Sequence, residues 1–387
     1  MSVPQVSVVM AVYNASHYIE KALYSIETQT YRNIEFIIVQ DPCTDDTEKI
    51  IESYKKTASI SVTHIINDIR LGISRSLNLG IALSKGDLIA RMDADDISLP
   101  ERIDEQVKYL KKHPDIGILG SNAFLIDEKG NYIASYVLPE NHCEIKLHML
   151  LGRPAMMHSP LMIRKKAIFN AGNYDENELC EDIDIIYRIL RTNYAHNLST
   201  PLLLYRRQNN CLSITLSDKT KQRYIALLAR ELSLLCPEFS DCFDTAVKLF
   251  HFDERFINTG PRYENIEGFS IFLHLVRNLY SLPHFENLGD ELDSACNKII
   301  FHMISACKLH EFNLPDLLKR ETSIASPNVV NLHDYKLFSG IIGYIRHRSL
   351  KERLVWRIEK IFDNPLWLIK HDLKSLLTYF KIQKPIE

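Results

Sequence analysis

The chain has no Cys-x-x-Cys pair, no Gly-x-Gly-x-x-Gly after an apolar β-branched stretch, and no excess of basic residues. The first absence argues against a zinc site with paired thiolates. The second argues against a dinucleotide-binding turn. The third, 46 Lys and Arg against 49 Asp and Glu for a net charge of −3, argues against a general nucleic-acid binder. No segment reaches the ~18 continuous apolar residues of a membrane-crossing helix. Met1-Ser2-Val3-Pro4-Gln5 lacks the basic and long apolar regions of a signal peptide. The eight cysteines, among them Cys43, Cys143 and Cys180, are scattered. They fit a reducing compartment, where thiols serve as small hydrophobes, so a cytoplasmic location is expected.

What is present is an ordinary globular composition: 387 residues, 46% hydrophobic and 25% charged. A chain of this size buries a core without disulfides or structural metal, and its length suggests two domains. Val6-Ser7-Val8-Val9-Met10-Ala11-Val12-Tyr13 reads as a strand buried on both faces. Ile19, Ala22, Leu23 and Ile26 mark a helix after it. Ile34-Glu35-Phe36-Ile37-Ile38-Val39 is a second strand, and residues 60–66 a third. Thr44 is expected to cap the helix between them, with Asp45, Asp46 and Glu48 at its positive end. Ile73, Leu77 and Ile81 predict a helix that Gly86 stops, and residues 87–92 a fourth strand. Pro100 opens a further helix that buries Ile103, Val107 and Leu110. Such alternation predicts an α/β fold, a mostly parallel sheet covered by helices on both faces. Ligands in these sheets bind beyond the carboxyl ends of the strands. Asn14, Asp41 and Asp93-Ala94-Asp95-Asp96 all follow strand ends.

Two carboxylates at alternate positions, Asp93 and Asp95, suit a hard divalent cation that shares a diphosphate. A solvated Asp-rich turn is the plainer alternative. Asp41 is either a helix-capping acid or an acceptor for a base or ribose. Glu181 and Asp182 begin a helix with Ile183, Ile186 and Leu190 on its buried face. They read either as acids favoured by the helix dipole or as holding a general base.

Taken together these residues resemble the family 2 glycosyltransferases, which have the GT-A fold. The resemblance runs from about Val6 to Ser213. It rests on the first strand through Asn14, on Ile37-Ile38-Val39-Gln40-Asp41 with Thr44-Asp45-Asp46-Thr47, and on residues 72–80 with Asn78. It continues through Lys85-Gly86-Asp87, Asp93-Ala94-Asp95-Asp96, Leu99-Pro100-Glu101-Arg102 and His158-Ser159-Pro160-Leu161-Met162-Ile163-Arg164. Gly172-Asn173-Tyr174-Asp175, Glu181-Asp182 and Leu204-Tyr205-Arg206 complete it. The resemblance implies a nucleotide-sugar donor, a UDP-sugar before others, and inverting transfer of a hexosyl or N-acetylhexosaminyl group to a glycan or glycolipid in surface polysaccharide synthesis. It implies donor contacts from Ala11, Tyr13, Asp41, Asp93 and Asp95. Asp41 would read the base, Asp93 would face ribose and metal, and Asp95 would be the main ligand of Mn2+ or Mg2+. It implies Asp182 as catalytic base. Glu181, Asp96, His158 and Arg70 are secondary candidates. Two departures stand out. Gln40-Asp41-Pro42-Cys43 replaces the common Asp-Asp-Gly-Ser, and Gln208 stands where many members have His. The altered turn motivates a rival, a catalytically silent nucleotide-sugar-binding module.

Plainer roles compete elsewhere. His158 and Asn78 read as structural, Arg70 and Arg75 as surface arginines, and Tyr13 as an aromatic at the edge of the core. Residues 1–215 are expected to form the GT-A domain and 216–387 a helical domain, with helical patterns near 224–235, 269–282 and 292–309. After Ile341 the tail carries ten Lys and Arg against five Asp and Glu, flanking apolar stripes. This suits packing on neighbouring helices, or peripheral contact with an anionic membrane face.

Overall fold

A computed structural model describes residues 5–153, 155–207 and 218–235. The strands are β1 (Val6–Val12), β2 (Ile34–Gln40), β3 (Ser61–Ile66), β4 (Leu88–Arg91), β5 (Ile97–Ser98), β6 (Ile116–Ile126), β7 (Tyr132–Tyr136), β8 (Met162–Arg164) and β9 (Tyr194–Arg206). The helices are α1 (Ile19–Glu27), α2 (Thr47–Thr57), α3 (Ile73–Leu83), α4 (Arg102–Lys112), α5 (His142–Leu150), α6 (Lys165–Asn170), α7 (Glu181–Leu190) and α8 (Asp218–Leu235).

The nine strands among the described residues join one sheet in the order β3-β2-β1-β4-β8-β6-β9-β5, with β7 on β6. The half from β3 to β4 is parallel, as the alternation of strand and helix predicts. Beyond it the sheet is mixed. β8 runs antiparallel to both β4 and β6, β6 and β9 are parallel, and β5 is antiparallel to β9. β1 and β2 are buried almost throughout, because helices cover both faces. On one face Val8 and Met10 of β1 and Phe36 and Ile38 of β2 meet Ile19, Leu23 and Ile26 of α1 and Ile103, Val107 and Leu110 of α4.

Several local expectations are corrected. Thr44 does not cap α2, since its hydroxyl pairs with Asn14. The N-cap position falls on Asp46, and it is Asp45 that accepts the N–H (3.1 Å) and hydroxyl (2.6 Å) of Thr47, the first residue of α2. Burial works against the Asp45 charge, but the bonds from Thr47 and Ser16 outweigh it and hold the carboxyl down at about 2. α3 ends at Leu83, before Gly86. Gly86 is needed for a close approach, because a Cβ there would lie 2.6 Å from the Gln5 carbonyl oxygen. Ile73 is largely exposed, and Ile183 is only half-buried. Pro100 precedes α4 rather than lying in its first turn. The helical pattern near 224–235 is α8, while those of 269–282, 292–309 and the basic tail lie outside the described residues.

Candidate active site

The carboxyl ends of β1, β2 and β4 lie side by side, with Val12 opposite Gln40 and Val9 opposite Arg91. After β1 the chain turns at Asn14, which has a left-handed φ of 48°. Its Oδ1 accepts the Thr44 N–H (2.9 Å), and its own N–H donates to Cys43 Sγ (3.2 Å). The Cys43 thiol donates in turn to the Asp41 carbonyl (3.2 Å). The Pro42-Cys43 substitution therefore keeps a closed turn, with sulfur as both donor and acceptor.

Asp41 is buried just past β2. Its Oδ1 accepts from Asn67 (2.9 Å) and from the Leu71 N–H (3.0 Å), and its Oδ2 from the Gly72 N–H (2.9 Å). Gly72 has a φ of 81°, a conformation suited to glycine, and this presents its amide to Asp41 at the start of α3. Arg70 is exposed and lies 3.9 Å from the centre of the Tyr13 ring, a cation–π pair at the rim of this loop. Ala11 is half-buried on β1. Arg75 pairs with Glu176 (2.9 Å).

Beyond β4, Asp93, Asp95 and Asp96 each offer a carboxylate oxygen, all within 4.8 Å of one another. Three parts of the chain hold this group. Arg91 pairs with Asp93, and the Asp93 N–H donates to Ser159 Oγ (3.2 Å). Arg102, wholly buried, reaches the carbonyls of Arg91 (2.6 Å) and Ser159 (3.1 Å). Arg206 at the end of β9 donates its N–H to Asp96 Oδ1 (2.8 Å) and its Nε to the Asp95 carbonyl (2.8 Å), while its guanidinium lies over the Tyr18 ring (4.7 Å). Asp96 is 1% exposed and its Oδ2 has no partner among the described residues. Burial, then the charges of Asp93 and Asp95, push its carboxyl well above the usual range. Crowded oxygens with an orphaned lone pair fit a hard divalent cation.

The third cluster sits at the first turn of α7. Asp182 Oδ1 accepts the Ile183 N–H (2.8 Å). Burial, reinforced by the Asp182 charge, pushes Glu181 up to about 7. Asp182 is also raised, by burial, against the pull of that hydrogen bond and of Arg91. Arg91 and Asp93 act electrostatically on both acids, so the β4 cluster and the α7 acids share one environment. Tyr174 and His158 belong to it. His158 Nε2 and the Tyr174 hydroxyl are 2.8 Å apart, and burial and Arg91 hold the His158 ring neutral. Asn78 donates to the Tyr174 carbonyl (2.9 Å) and accepts its N–H (3.0 Å), as its structural reading expects.

The structure thus gathers Asp93, Asp95, Asp96, Glu181, Asp182 and His158, while Asp41, Tyr13 and Arg70 bound the neighbouring β2–α3 side. Sequence reasoning missed Arg91, Tyr174 and the clamping role of Arg206. Arg91 had a signal: a charged residue ending the apolar run Leu88-Ile89-Ala90. Gln208 lies outside the described residues.

Residues 7–171 match the family model described as glycosyl transferase family 2. An uncharacterized glycosyltransferase of Methanocaldococcus jannaschii is 33% identical over 213 residues, covering 54% of this chain and 73% of the relative. The O-antigen biosynthesis glycosyltransferase WbnJ of Escherichia coli is 32% identical over 235 residues, 57% of this chain and 91% of the relative. Among solved structures, S. aureus TarS 1-349 in complex with UDP-GlcNAc aligns with a TM-score of 0.52 at 16% identity, over 79% of this chain and 91% of that one. At that identity the likeness speaks for the fold alone.

Proposed function

Because the chain belongs to glycosyl transferase family 2 and is a glycosyltransferase, we propose that it moves a sugar from a nucleoside diphosphate donor to an acceptor hydroxyl with inversion of the anomeric centre. What supports this reading is that the buried Arg91, paired with Asp93, acts electrostatically together with Asp93 on both Glu181 and Asp182. Asp93, Asp95 and Asp96 would hold Mn2+ or Mg2+. Such a cation supplies charge neutralisation for the departing diphosphate. Asp182 takes the proton of the acceptor hydroxyl as its oxygen attacks the anomeric carbon, and the C–O bond to the diphosphate breaks on the opposite face. One displacement inverts the centre and needs no covalent enzyme intermediate. Asp41 frames the base pocket through the 67–72 loop and keeps a lone pair on Oδ2 for a base N–H, with Tyr13 and Arg70 at the rim and Ala11 on its floor.

Residues 1–215 with α8 packed on them form the catalytic unit in this reading, and the chain beyond α8 serves acceptor, partner or membrane-surface contact. The O-antigen relative supports a role in surface polysaccharide synthesis with a glycan or glycolipid acceptor. No described helix is long and apolar enough to cross a membrane; the reading places the enzyme in the cytoplasm, touching the membrane peripherally through its basic tail. The closed turn at Cys43 supports an intact site over a silent binding module.

The test is nucleoside diphosphate release from UDP-glucose, UDP-N-acetylglucosamine and GDP-mannose, with Mn2+, Mg2+ or EDTA. Release should need the metal and be lost in Asp95→Asn. Asp182→Asn should keep donor binding and lose turnover by ~10²–10⁴-fold. Full turnover in Asp182→Asn would remove it as the base.

A further inference from the structure

We propose that α8 is a positioning element of the transfer reaction, with Arg223 holding the segment that aims the α7 carboxylates. This rests on the reading of Asp182 given above. The family-model match ends at residue 171, so it covers neither α7 nor α8.

The segment leading into α7 is organised by Glu178, which is 6% exposed. Its Oε1 accepts the N–H groups of Leu179 (2.9 Å) and Cys180 (3.2 Å). That bends the chain so that Glu181 and Asp182 follow at once on the first helical turn. Glu178 is in turn gripped by Arg223, whose Nε donates to both carboxylate oxygens (2.9 and 2.8 Å) and whose Nη2 lies 2.6 Å from Oε2. The Cys180 thiol donates to the Thr220 carbonyl of the same helix (3.8 Å).

A second grip lies further along. Arg223 and Arg230 are seven residues apart and share a face of α8. Arg230 reaches Asp184 Oδ1 (2.7 Å), and Asp184 Oδ2 takes Arg188 Nη2 (2.5 Å). Arg188 also donates to the Asn173 carbonyl (2.6 Å) and to that of Ala171, so the grip passes into the loop carrying Tyr174. Glu231 closes the set with Arg191 (2.5 Å) and Arg230 (2.9 Å). Both ends of the first turn of α7 are therefore tied to α8, while the Asp182 carboxylate is not among the groups these arginines bind. Arg223 touches no reacting atom in this scheme; it acts through Glu178.

The experiment uses the full chain. Arg223→Gln should raise amide hydrogen exchange in residues 179–184 by about tenfold, with β1 and α4 unchanged. Its kcat for nucleoside diphosphate release from the same three donors should fall about tenfold, with KM held within about twofold. Arg223→Lys, which keeps the charge but not the fork, should recover part of the loss. Glu178→Gln should reproduce the effect, and the double variant should be no worse than either single one. Unchanged exchange at 179–184, exchange raised evenly across the chain, or a normal kcat would each overturn the proposal. Asp182→Asn separates the two failures. If it turns over normally, the base assignment is at fault. If it is inactive while Arg223→Gln is not, the positioning role is at fault.

Discussion

Asp96 shows how a single residue can be held at a cost to stability. Its orphaned oxygen is buried beside the half-buried carboxylates of Asp93 and Asp95. A carboxyl whose folded pKa lies above its unfolded one binds its proton more tightly in the native state, so its ionisation takes stability away as pH rises. Asp96→Asn keeps an acceptor for the Arg206 N–H. Without metal at pH 7–8 it should gain about 1–3 kcal/mol in chemical denaturation, the usual cost of an unsatisfied buried group. Added Mn2+ should raise the melting temperature of the wild type and do so far less for the variant. Glu181 gives a pH prediction of its own. Raised to about 7, it is largely protonated in mild acid and gains its charge as pH passes neutrality. Asp182 takes its charge first, while Glu181 is still neutral, so Glu181→Gln should leave the acid limb of the kcat–pH profile in place and remove only the change near neutrality that the Glu181 charge brings. An acid limb that moves, or a step near neutrality that persists, would overturn this assignment.

At the scale of elements, Gly86 carries the sharpest structural prediction. A Cβ there meets the Gln5 carbonyl at 2.6 Å and the Ser7 N–H at 2.8 Å, so Gly86→Ala must push backbone apart. We expect a loss of about 1–3 kcal/mol by urea titration. Strands and helices differ in how plainly the sequence shows them. β1, β2 and β4 were readable because strands covered on both faces are written as unbroken apolar runs. α1 and α4 were readable because one side of each faces water. α5 is buried nearly all round, so its period vanishes, and even Glu144 and Lys146 lie inside. β6 was obscured by Ser121 and Asn122, polar residues that survive burial because Asn122 bonds the Ser199 and Leu138 backbones. The acids of the site were legible as types at strand and helix ends. Their partners were not, since pairing Asp96 with Arg206 or Glu178 with Arg223 depends on how β9 and α8 return to the sheet.

For the molecule as a whole, α8 matters more than its place beyond the family match suggests. Tyr224, Leu227, Leu228 and Leu232 are buried, and the helix packs on α5 and α7. A chain cut after residue 215 loses these side chains and leaves the buried Glu178 and Asp184 without their α8 arginines. It should yield less soluble protein and melt lower than the full chain; equal yield and melting temperature would show the helix to be dispensable.

The link between Asp96 and Arg206 spans 110 positions. On a ribosome the acidic loop emerges long before the strand that closes around it. Before that strand has been made, Asp96 lacks the Arg206 N–H that holds it. On the proposed reading, the site would therefore be ready for a divalent cation only once β9 is complete.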